Sequence, residues 1–203
     1  TGIKKGTFVT VCLKSDFFLE DADHLRKYAW NTIRNNPDII FLIITKRISR
    51  VCKCLPEDWG EGYNNVVLCS TCENQKRADE RLSEFIKIPC KHRWVTCSPL
   101  LEPINLTKYL ETGLIECVEA TGERTCRFDA RKTKFDWVKS ISDQCKSFNV
   151  RFSMLYLGHN FEMPDGTIEQ DWSGWYRSEK AEKLNLTSYN TITFNLNSLS
   201  ITY

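Results

Sequence analysis

The chain has 203 residues, 41% of them hydrophobic and 12% aromatic, and it carries 28 Lys and Arg against 26 Asp and Glu. At roughly 150 residues per domain this is one domain or slightly more, with enough apolar residues for a core, which excludes a disordered or collagen-like chain. The net charge of +2 is too balanced to argue for non-specific nucleic-acid binding, which depends on clustered Lys and Arg, but it is compatible with a local basic pocket. The longest apolar run, residues 39–44, is shorter than the about 20 residues of a membrane span, and no signal peptide is evident. We therefore expect a cytoplasmic protein with no membrane partner.

The first predicted elements are a strand at residues 7–13 and a helix over residues 22–35. Asp21 is the expected N-cap of this helix. Pro37 ends it, because Pro disfavours helical geometry in the residue before it. The helix is expected to bury one stripe of side chains, formed by Ala22, Leu25, Ala29 and Ile33.

Strands and helices then alternate along the chain. Asn74 is the expected N-cap of the helix over residues 75–87. The strand patterns are almost continuously apolar, which is typical of strands buried on both faces of a parallel sheet. The further strands are predicted at 39–45, 66–70, 93–97, 114–119 and 150–157, and the further helices at 48–54, 75–87, 105–111 and 134–147.

This alternation predicts an α/β fold built from right-handed βαβ units. Six strands are too few for a closed eight-stranded barrel, so a partial (β/α) barrel and an open doubly wound sheet both remain. We assign residues 1–165 to this domain. Residues 166–203 form a C-terminal extension, in which 189–203 alternates enough for edge strands or a hairpin, or is poorly ordered.

Polar side chains follow almost every apolar run, at the edge of the sheet where parallel α/β folds carry their functional groups. We expect one cleft there. Its candidate ligand-binding residues are Asp16, Lys46, Arg47, Glu73, Asn74 and Glu102. For each residue the alternative is a solvated loop charge, and for Asn74 it is a helix cap. His159, at the end of the last strand, is the histidine best placed for chemistry.

Lys46 and Arg47 directly follow a six-residue buried run, and a cation pair at that position suits a carboxylate or phosphate. Side chains alternate along a strand, so only one of the two can face the barrel interior, and we expect that to be Lys46. An inward ammonium needs a partner. Asp16 and Glu73, on the flanking strands, are the expected partners. The alternative is a structural ion pair that binds nothing.

The sequence contains ten cysteines. Cys12, Cys69, Cys97 and Cys117 lie in apolar runs, which predicts buried, reduced thiols and no disulfide among them. A four-thiolate zinc site from Cys52-x-Cys54 and Cys69-x-x-Cys72 is the alternative. The second pair closes a strand and the first lies in a short helix, so we expect no metal. The chain also contains no C-x-x-x-C-x-x-C motif for an iron–sulfur cluster.

An ordered series of short motifs resembles a phage- and prophage-associated family of unknown function. The resemblance covers roughly residues 7–165. Its strongest pieces are ITKR (44–47), ENQ (73–75) with RAD (77–79), and PLLEPI (99–104), and SDFF (15–18), FDWVKSISDQC (135–145) and NVRF (149–152) add to it. Full-length members look like radical S-adenosylmethionine enzymes. They carry an N-terminal three-cysteine motif, a [4Fe–4S] cluster and a TIM-barrel-like partial (β/α) barrel of mostly parallel strands, and this fold is the one that we expect here.

The chain also departs from the family pattern. The three-cysteine segment would precede residue 1 and is absent. The family usually has an acidic residue at Ser98, a glycine-rich turn at 119–123 and a Lys-Gln pair near Leu155-Tyr156. The matching site positions are Asp16, Lys46, Arg47, Glu73, Asn74 and Arg81. The resemblance therefore implies no cofactor in this chain, and S-adenosylmethionine with [4Fe–4S] in full-length members.

Two function hypotheses follow. The first is a radical-S-adenosylmethionine-like enzyme that acts on a nucleic acid or another macromolecule, with its cluster held by the three-cysteine segment. The second is a non-catalytic remnant that keeps the barrel as a binding or interaction module with a protein partner. Iron and sulfide binding discriminates between them.

Overall fold

Six parallel strands form the central sheet, in the order in which they occur in the chain. They are β1 (Phe8–Val11), β2 (Ile40–Thr45), β3 (Val66–Thr71), β4 (His92–Cys97), β5 (Cys117–Thr121) and β7 (Arg151–Tyr156). The computed structural model describes residues 3–125, 129–170, 179–197 and 199–203. The sheet curls into a half-barrel, which confirms the predicted partial (β/α) barrel. A doubly wound sheet would reverse its strand order at a switch point, and this sheet does not.

Helices connect the sheet strands. They are α1 (Asp23–Arg34), α2 (Ile48–Cys54), α3 (Gln75–Phe85), α4 (Thr107–Leu110) and α5 (Phe135–Ser147), with α6 (Glu179–Lys183) after the sheet. The chain also forms two small sheets. The first contains β6 (Thr133–Lys134), β8 (Phe161–Glu162) and β9 (Ile168–Glu169), and the second, in the C-terminal tail, contains β10 (Thr193–Asn195) and β11 (Ser200–Thr202). No helix in the described ranges is long and apolar enough to cross a membrane.

Both faces of the sheet are buried, which explains the almost continuous apolar runs. Alternate residues such as Phe41 and Ile43 belong to the main core, which they share with the helices. The other set points to the opposite, concave face. At its amino end this face carries an apolar surface, the concave floor, formed by Ile40, Leu42, Val67, Cys69, Trp94 and Cys117.

The antiparallel pair β10–β11 covers the concave floor. Phe194 is fully buried there, with its ring centroid 4.2 Å from that of His92 and 5.4 Å from that of Phe8. The tail therefore contains the hairpin that its alternating pattern indicates. The assignment of 1–165 as a separate domain stays a prediction.

Helix α1 differs from the prediction in its cap and in its buried face. Asp21 is not the N-cap, because residues Glu20–Ala22 form a 3-10 turn and Ala22 precedes the helix without a side-chain cap. The buried residues are Arg26, Trp30 and Ile33, whereas Leu25 is 56% exposed.

The reason for the shifted face is Arg26. Its guanidinium donates to the carbonyl oxygens of Phe17 and Leu19, pairs with Asp23 and lies 5.6 Å from the ring centroid of Phe18. These partners compensate for burying a charge that a hydrophobic pattern assigns to solvent.

Two further expectations are adjusted. Cys12 is not a buried strand residue, because β1 ends at Val11 and Cys12 is exposed with φ +56°. The fifth strand begins at Cys117 rather than Leu114. The predicted Asn74 cap is confirmed, since its side chain accepts a hydrogen bond from the backbone N–H of Arg77 at 2.9 Å.

Candidate functional site

The first polar residue at the carboxyl edge of the sheet is Asp16, which is buried in the loop after β1. Its carboxylate accepts hydrogen bonds from the backbone N–H of Phe18 at 2.9 Å, the hydroxyl of Thr45 at 2.8 Å and the backbone N–H of Lys46 at 2.9 Å. Arg47 Nη1 lies 3.5 Å from the same carboxylate. Asp16 therefore ties the loop after β1 to the end of β2.

Three side chains form an ion-pair chain, the edge cluster, made of Lys46, Glu73 and Arg81. Lys46 Nζ lies 2.6 Å from Glu73 Oε1, and Arg81 Nη1 lies 2.8 Å from Glu73 Oε2. Arg81 also donates to the carbonyl oxygen of Thr71 at 2.7 Å. Glu73 and Arg81 are 12% and 14% exposed, but Lys46 is 55% exposed. Two half-buried groups thus hold one ammonium that remains open to solvent.

The electrostatics of Glu73 follow from these contacts. Burial opposes ionisation of its carboxyl group, but the hydrogen-bonded Lys46 ammonium and the Arg81 guanidinium outweigh burial and lower the pKa of Glu73 below its ordinary value. The carboxylate is therefore ionised and acts as a fixed acceptor.

Lys46 meets one of its two predicted partners. Its ammonium pairs with Glu73, whereas Asp16 bonds the backbone N–H of Lys46 and pairs with Arg47. Lys46 lies just beyond the last residue of β2, Thr45, so it is less buried than an inward strand residue. The ligand-binding role of these residues stays a prediction.

Asn74 and Glu102 lie at the amino end of α3. Asn74 caps the helix, and Glu102 Oε1 accepts from the backbone N–H of Gln75 at 2.8 Å. Both side chains satisfy helix N–H groups that have no partner inside the helix. They border the edge cluster through Glu73 but do not form ion pairs with it among the described residues.

Sequence reasoning missed the hydroxyl groups on the neighbouring strands. Ser98 Oγ lies 2.7 Å from Thr121 Oγ1, which joins the ends of β4 and β5. Glu123 after β5 pairs with Arg131, whose Nε lies 3.0 Å from Glu123 Oε1. The sequence signal for Ser98 is the alternation of side chains along a strand, which places Ser98 on the same face of the sheet as Trp94.

A polar layer lies on the concave face below this edge. Register pairs Thr71 with Thr96, Thr96 with Glu119 and Glu119 with Ser153, on four successive strands. Thr71, Thr96 and Ser153 are buried and Glu119 is half-buried. We call these four residues the polar row. The concave face is thus apolar at the concave floor and becomes polar toward the carboxyl edge of the sheet.

The loops after β5 and β7 touch through their backbones. A Cβ atom on Gly122 would lie 1.7 Å from the carbonyl oxygen of Leu157, so this position requires glycine. The contact places Arg124 with its guanidinium 3.5 Å from the ring centroid of Tyr156. His159 sits beside it, and its Nδ1 accepts the backbone N–H of Thr125 at 3.4 Å.

The cysteines do not converge. Cys69 belongs to the concave floor and Cys72 to the main core, so they lie on opposite faces of the sheet. Within the described ranges no group of three His, Cys, Asp or Glu residues is placed to hold a metal ion. Cys69, Cys97 and Cys117 are buried free thiols, and burial raises the pKa of each well above its ordinary value.

Comparisons with curated proteins and with solved structures gave no match to this chain. A family model described as a protein of unknown function, DUF5131, matches residues 2–185. The match spans all six strands of the half-barrel and stops before β10. The chain belongs to this family of proteins of unknown function.

Proposed function

We propose that this protein binds a small zwitterionic ligand at the carboxyl edge of its half-barrel, and that the ligand is S-adenosylmethionine. The observation that carries the proposal is the edge cluster, in which a half-exposed ammonium is held at 2.6 Å by a half-buried carboxylate. The sequence resemblance to radical-S-adenosylmethionine-like proteins supports the choice of ligand.

The edge cluster complements an amino-acid group. Lys46 offers ammonium donors to a ligand carboxylate, and charge-assisted hydrogen bonds of this kind are about twice as strong as neutral ones. Glu73 offers acceptor oxygens to a ligand ammonium group, and Arg81 keeps that carboxylate in place. The carboxyl edge is also where parallel β/α folds bind their ligands.

An iron–sulfur cluster does not fit the described residues. Such clusters require several thiolates, whereas the concave-face thiols Cys69 and Cys117 are buried with raised pKa values. The proposal for these residues is therefore limited to ligand binding, and no reaction step follows from them.

The edge cluster also favours a second candidate function, in which the half-barrel is a non-catalytic binding module. If the protein is instead a radical-S-adenosylmethionine-like enzyme, its macromolecular substrate is a nucleic acid or a protein. Iron and sulfide analysis of the full-length protein after anaerobic reconstitution separates the two. Stoichiometric iron and sulfide support the enzyme, and their absence supports the module.

Isothermal titration calorimetry with S-adenosylmethionine tests ligand binding. Lys46→Met should weaken the affinity by about tenfold or more, because it removes a charge-assisted contact. Lys87→Met is the matched control, since Lys87 is an exposed lysine beyond the far end of α3. No binding by the wild-type protein, or equal loss in both variants, contradicts the proposal.

A further inference from the structure

A second cation is held on a carboxylate at the carboxyl edge of the sheet. The carboxylate of Glu123, after β5, accepts the backbone N–H of Arg131 at 2.7 Å and the Nε–H of its guanidinium at 3.0 Å. Glu123 is 15% exposed, whereas Arg131 is 61% exposed. Among the described residues the Nη1 group of Arg131 makes no hydrogen bond, so the guanidinium has donors left for a ligand. Arg131 thus repeats the arrangement of Lys46, an exposed cation held by a shielded carboxylate.

The loop after β4 fixes the position of this pair relative to the edge cluster. The backbone N–H of Leu101 donates to the carbonyl oxygen of Glu73 at 3.0 Å, and the hydroxyl of Thr133 donates to the carbonyl oxygen of Leu100 at 2.8 Å. Only β4 separates β3 from β5, so Glu73 and Glu123 follow strands that are about 10 Å apart. The two ion-pair sets therefore lie on either side of the end of β4.

The charges of the two sets favour an anionic ligand. Hydrogen bonding to Glu123 raises the pKa of the Arg131 guanidinium, and the negative charge of Glu73 raises it further. Lys46, Arg81 and Arg131 are three cations beside two carboxylates, which leaves one positive charge. A ligand with a negative group complements this balance.

The residues that follow Arg131 add to the positive charge. Lys132 and Lys134 share one carboxylate, that of Glu162, and their side chains are 44% and 41% exposed. Lys134 Nζ also lies 5.8 Å from the ring centroid of the half-buried Trp137. Cations beside an aromatic ring are typical of sites for single-stranded nucleic acids, which bind through their phosphates and through stacked bases.

We infer that Arg131 binds a phosphate group of a single-stranded nucleic acid whose backbone lies along residues 131–137, beside the edge cluster. The planar guanidinium matches the oxygens of a phosphate, with which it forms paired, charge-assisted hydrogen bonds. An acidic protein segment would use the guanidinium as well, but it would leave the ring of Trp137 without a base. The inference deepens the proposed function by naming the second ligand of the same cleft, and it rests on that proposal for the position of the first.

Fluorescence anisotropy of a fluorescein-labelled, single-stranded decathymidylate tests the inference, with the full chain as titrant at several NaCl concentrations. The wild type should bind, and its affinity should fall as NaCl rises, because each phosphate contact releases counterions. Arg131→Met should weaken binding by about tenfold or more, because it removes a charge-assisted contact. It should also reduce the slope of log affinity against log salt by about 0.7, the value for one phosphate of a single strand.

Two further variants identify the role of Arg131. Arg131→Lys keeps the charge without the planar fork, so it should keep the salt slope and recover part of the affinity. Arg34→Met is the matched control, since Arg34 is also exposed and pairs with a carboxylate, at 2.9 Å, in the last turn of α1 near the amino end of the sheet. It should change neither affinity nor slope. Equal loss in Arg34→Met and Arg131→Met, or an unchanged slope in Arg131→Met, contradicts the inference.

Separate titrations of the wild type distinguish this inference from the proposed function. If S-adenosylmethionine binds and decathymidylate does not, the inference is wrong and the proposed function stands. If decathymidylate binds with the expected Arg131 dependence and S-adenosylmethionine does not, the phosphate site stands and the proposed function is wrong. Binding of a labelled decaglutamate in place of decathymidylate would assign the site to an acidic protein segment and overturn the inference.

Discussion

Glu73 shows how a single carboxylate connects structure to a candidate site. It receives Arg81 from the helix side and Lys46 from the cleft side, and both contacts are shorter than 3 Å. Lys46 is more exposed than Arg81, so we expect Arg81 to contribute to stability and Lys46 to contribute to ligand binding. Arg81 and Glu73 form a half-buried pair, and loss of either partner leaves the charge of the other less well compensated. Lys46 is free to exchange its partner for a ligand.

Replacement of Arg81 by Met should therefore lower the free energy of unfolding by about 1–3 kcal/mol, because Glu73 and the Thr71 carbonyl lose a buried donor. Urea denaturation measures this change. Arg77→Met is the control, since Arg77 pairs with Glu80 at the exposed surface of the same helix and such pairs contribute about 0–1 kcal/mol. Equal effects of the two substitutions would show that the Arg81 contact has no special role.

The lowered pKa of Glu73 gives stability a pH dependence. The ionised carboxylate stabilises the fold above its ordinary pKa of 4.5, and this contribution is lost as the pH falls through the lower pKa of the folded state. Urea midpoints measured from pH 6 down to pH 3 should fall less steeply for Glu73→Gln than for the wild type. Equal slopes for Glu73→Gln and the wild type would contradict this contribution of the Glu73 carboxylate.

Thiol reactivity distinguishes exposed from buried cysteines. Cys12 and Cys52 are exposed and should react with a thiol reagent in the native protein. Cys69, Cys97 and Cys117 should react only after unfolding, because burial raises their pKa and only the thiolate reacts. Mass spectrometry of the labelled peptides measures the extent of labelling at each cysteine. Labelling of Cys69 in the native state would contradict the two-sided burial of the sheet.

At the scale of elements, the strands were predictable and the face of α1 was not. Strands buried on both faces give continuous apolar runs, and all six appear within a few residues of their predicted positions. In α1 the guanidinium of Arg26 is buried against backbone carbonyls of the loop after β1. A pattern of apolar residues carries no information about such tertiary contacts, so the predicted stripe contains Ile33, which is buried, but has the exposed Leu25 in place of Arg26 and Trp30.

The same distinction applies to the site. Sequential strand order brings Lys46 next to Glu73, which made that pair predictable from the ends of neighbouring strands. The contact of Arg81 depends on how α3 packs, and that of Ser98 with Thr121 depends on the register between β4 and β5. Local sequence does not encode the packing of α3, and the period-two alternation gives the face of Ser98 but not its partner on the next strand.

The hairpin β10–β11 is the element whose contribution is easiest to measure. Phe194→Ala should lower the free energy of unfolding by about 3–5 kcal/mol, because it empties a fully buried aromatic position on the concave floor. Tyr28→Ala, at a 77% exposed tyrosine on α1, should change it by less than about 0.5 kcal/mol. Thermal and urea unfolding both report the difference. A value near zero for Phe194→Ala would mean that the hairpin does not stabilise the sheet.

At the scale of the whole molecule, one sheet joins two cores. The main core lies between the sheet and its helices, and the smaller core lies between the concave floor and the hairpin. Strands β2, β3, β4 and β5 each supply side chains to both cores, so unfolding of these strands removes both cores together. The urea m-value of Phe194→Ala should therefore equal that of the wild type, as expected for one cooperative unit. A smaller m-value would indicate that the hairpin unfolds separately.

The position of the hairpin has a consequence for how the protein is made. All six strands of the half-barrel leave the ribosome before the residues of the hairpin β10–β11, which cover the concave floor. Until those residues emerge, the side chains of Ile40, Val67 and Trp94 face water on an already synthesised sheet. Nascent chains with exposed apolar surface are the ones that aggregate or bind chaperones. Synthesis of the hairpin β10–β11 thus determines when the newly made chain no longer presents this apolar surface to chaperones.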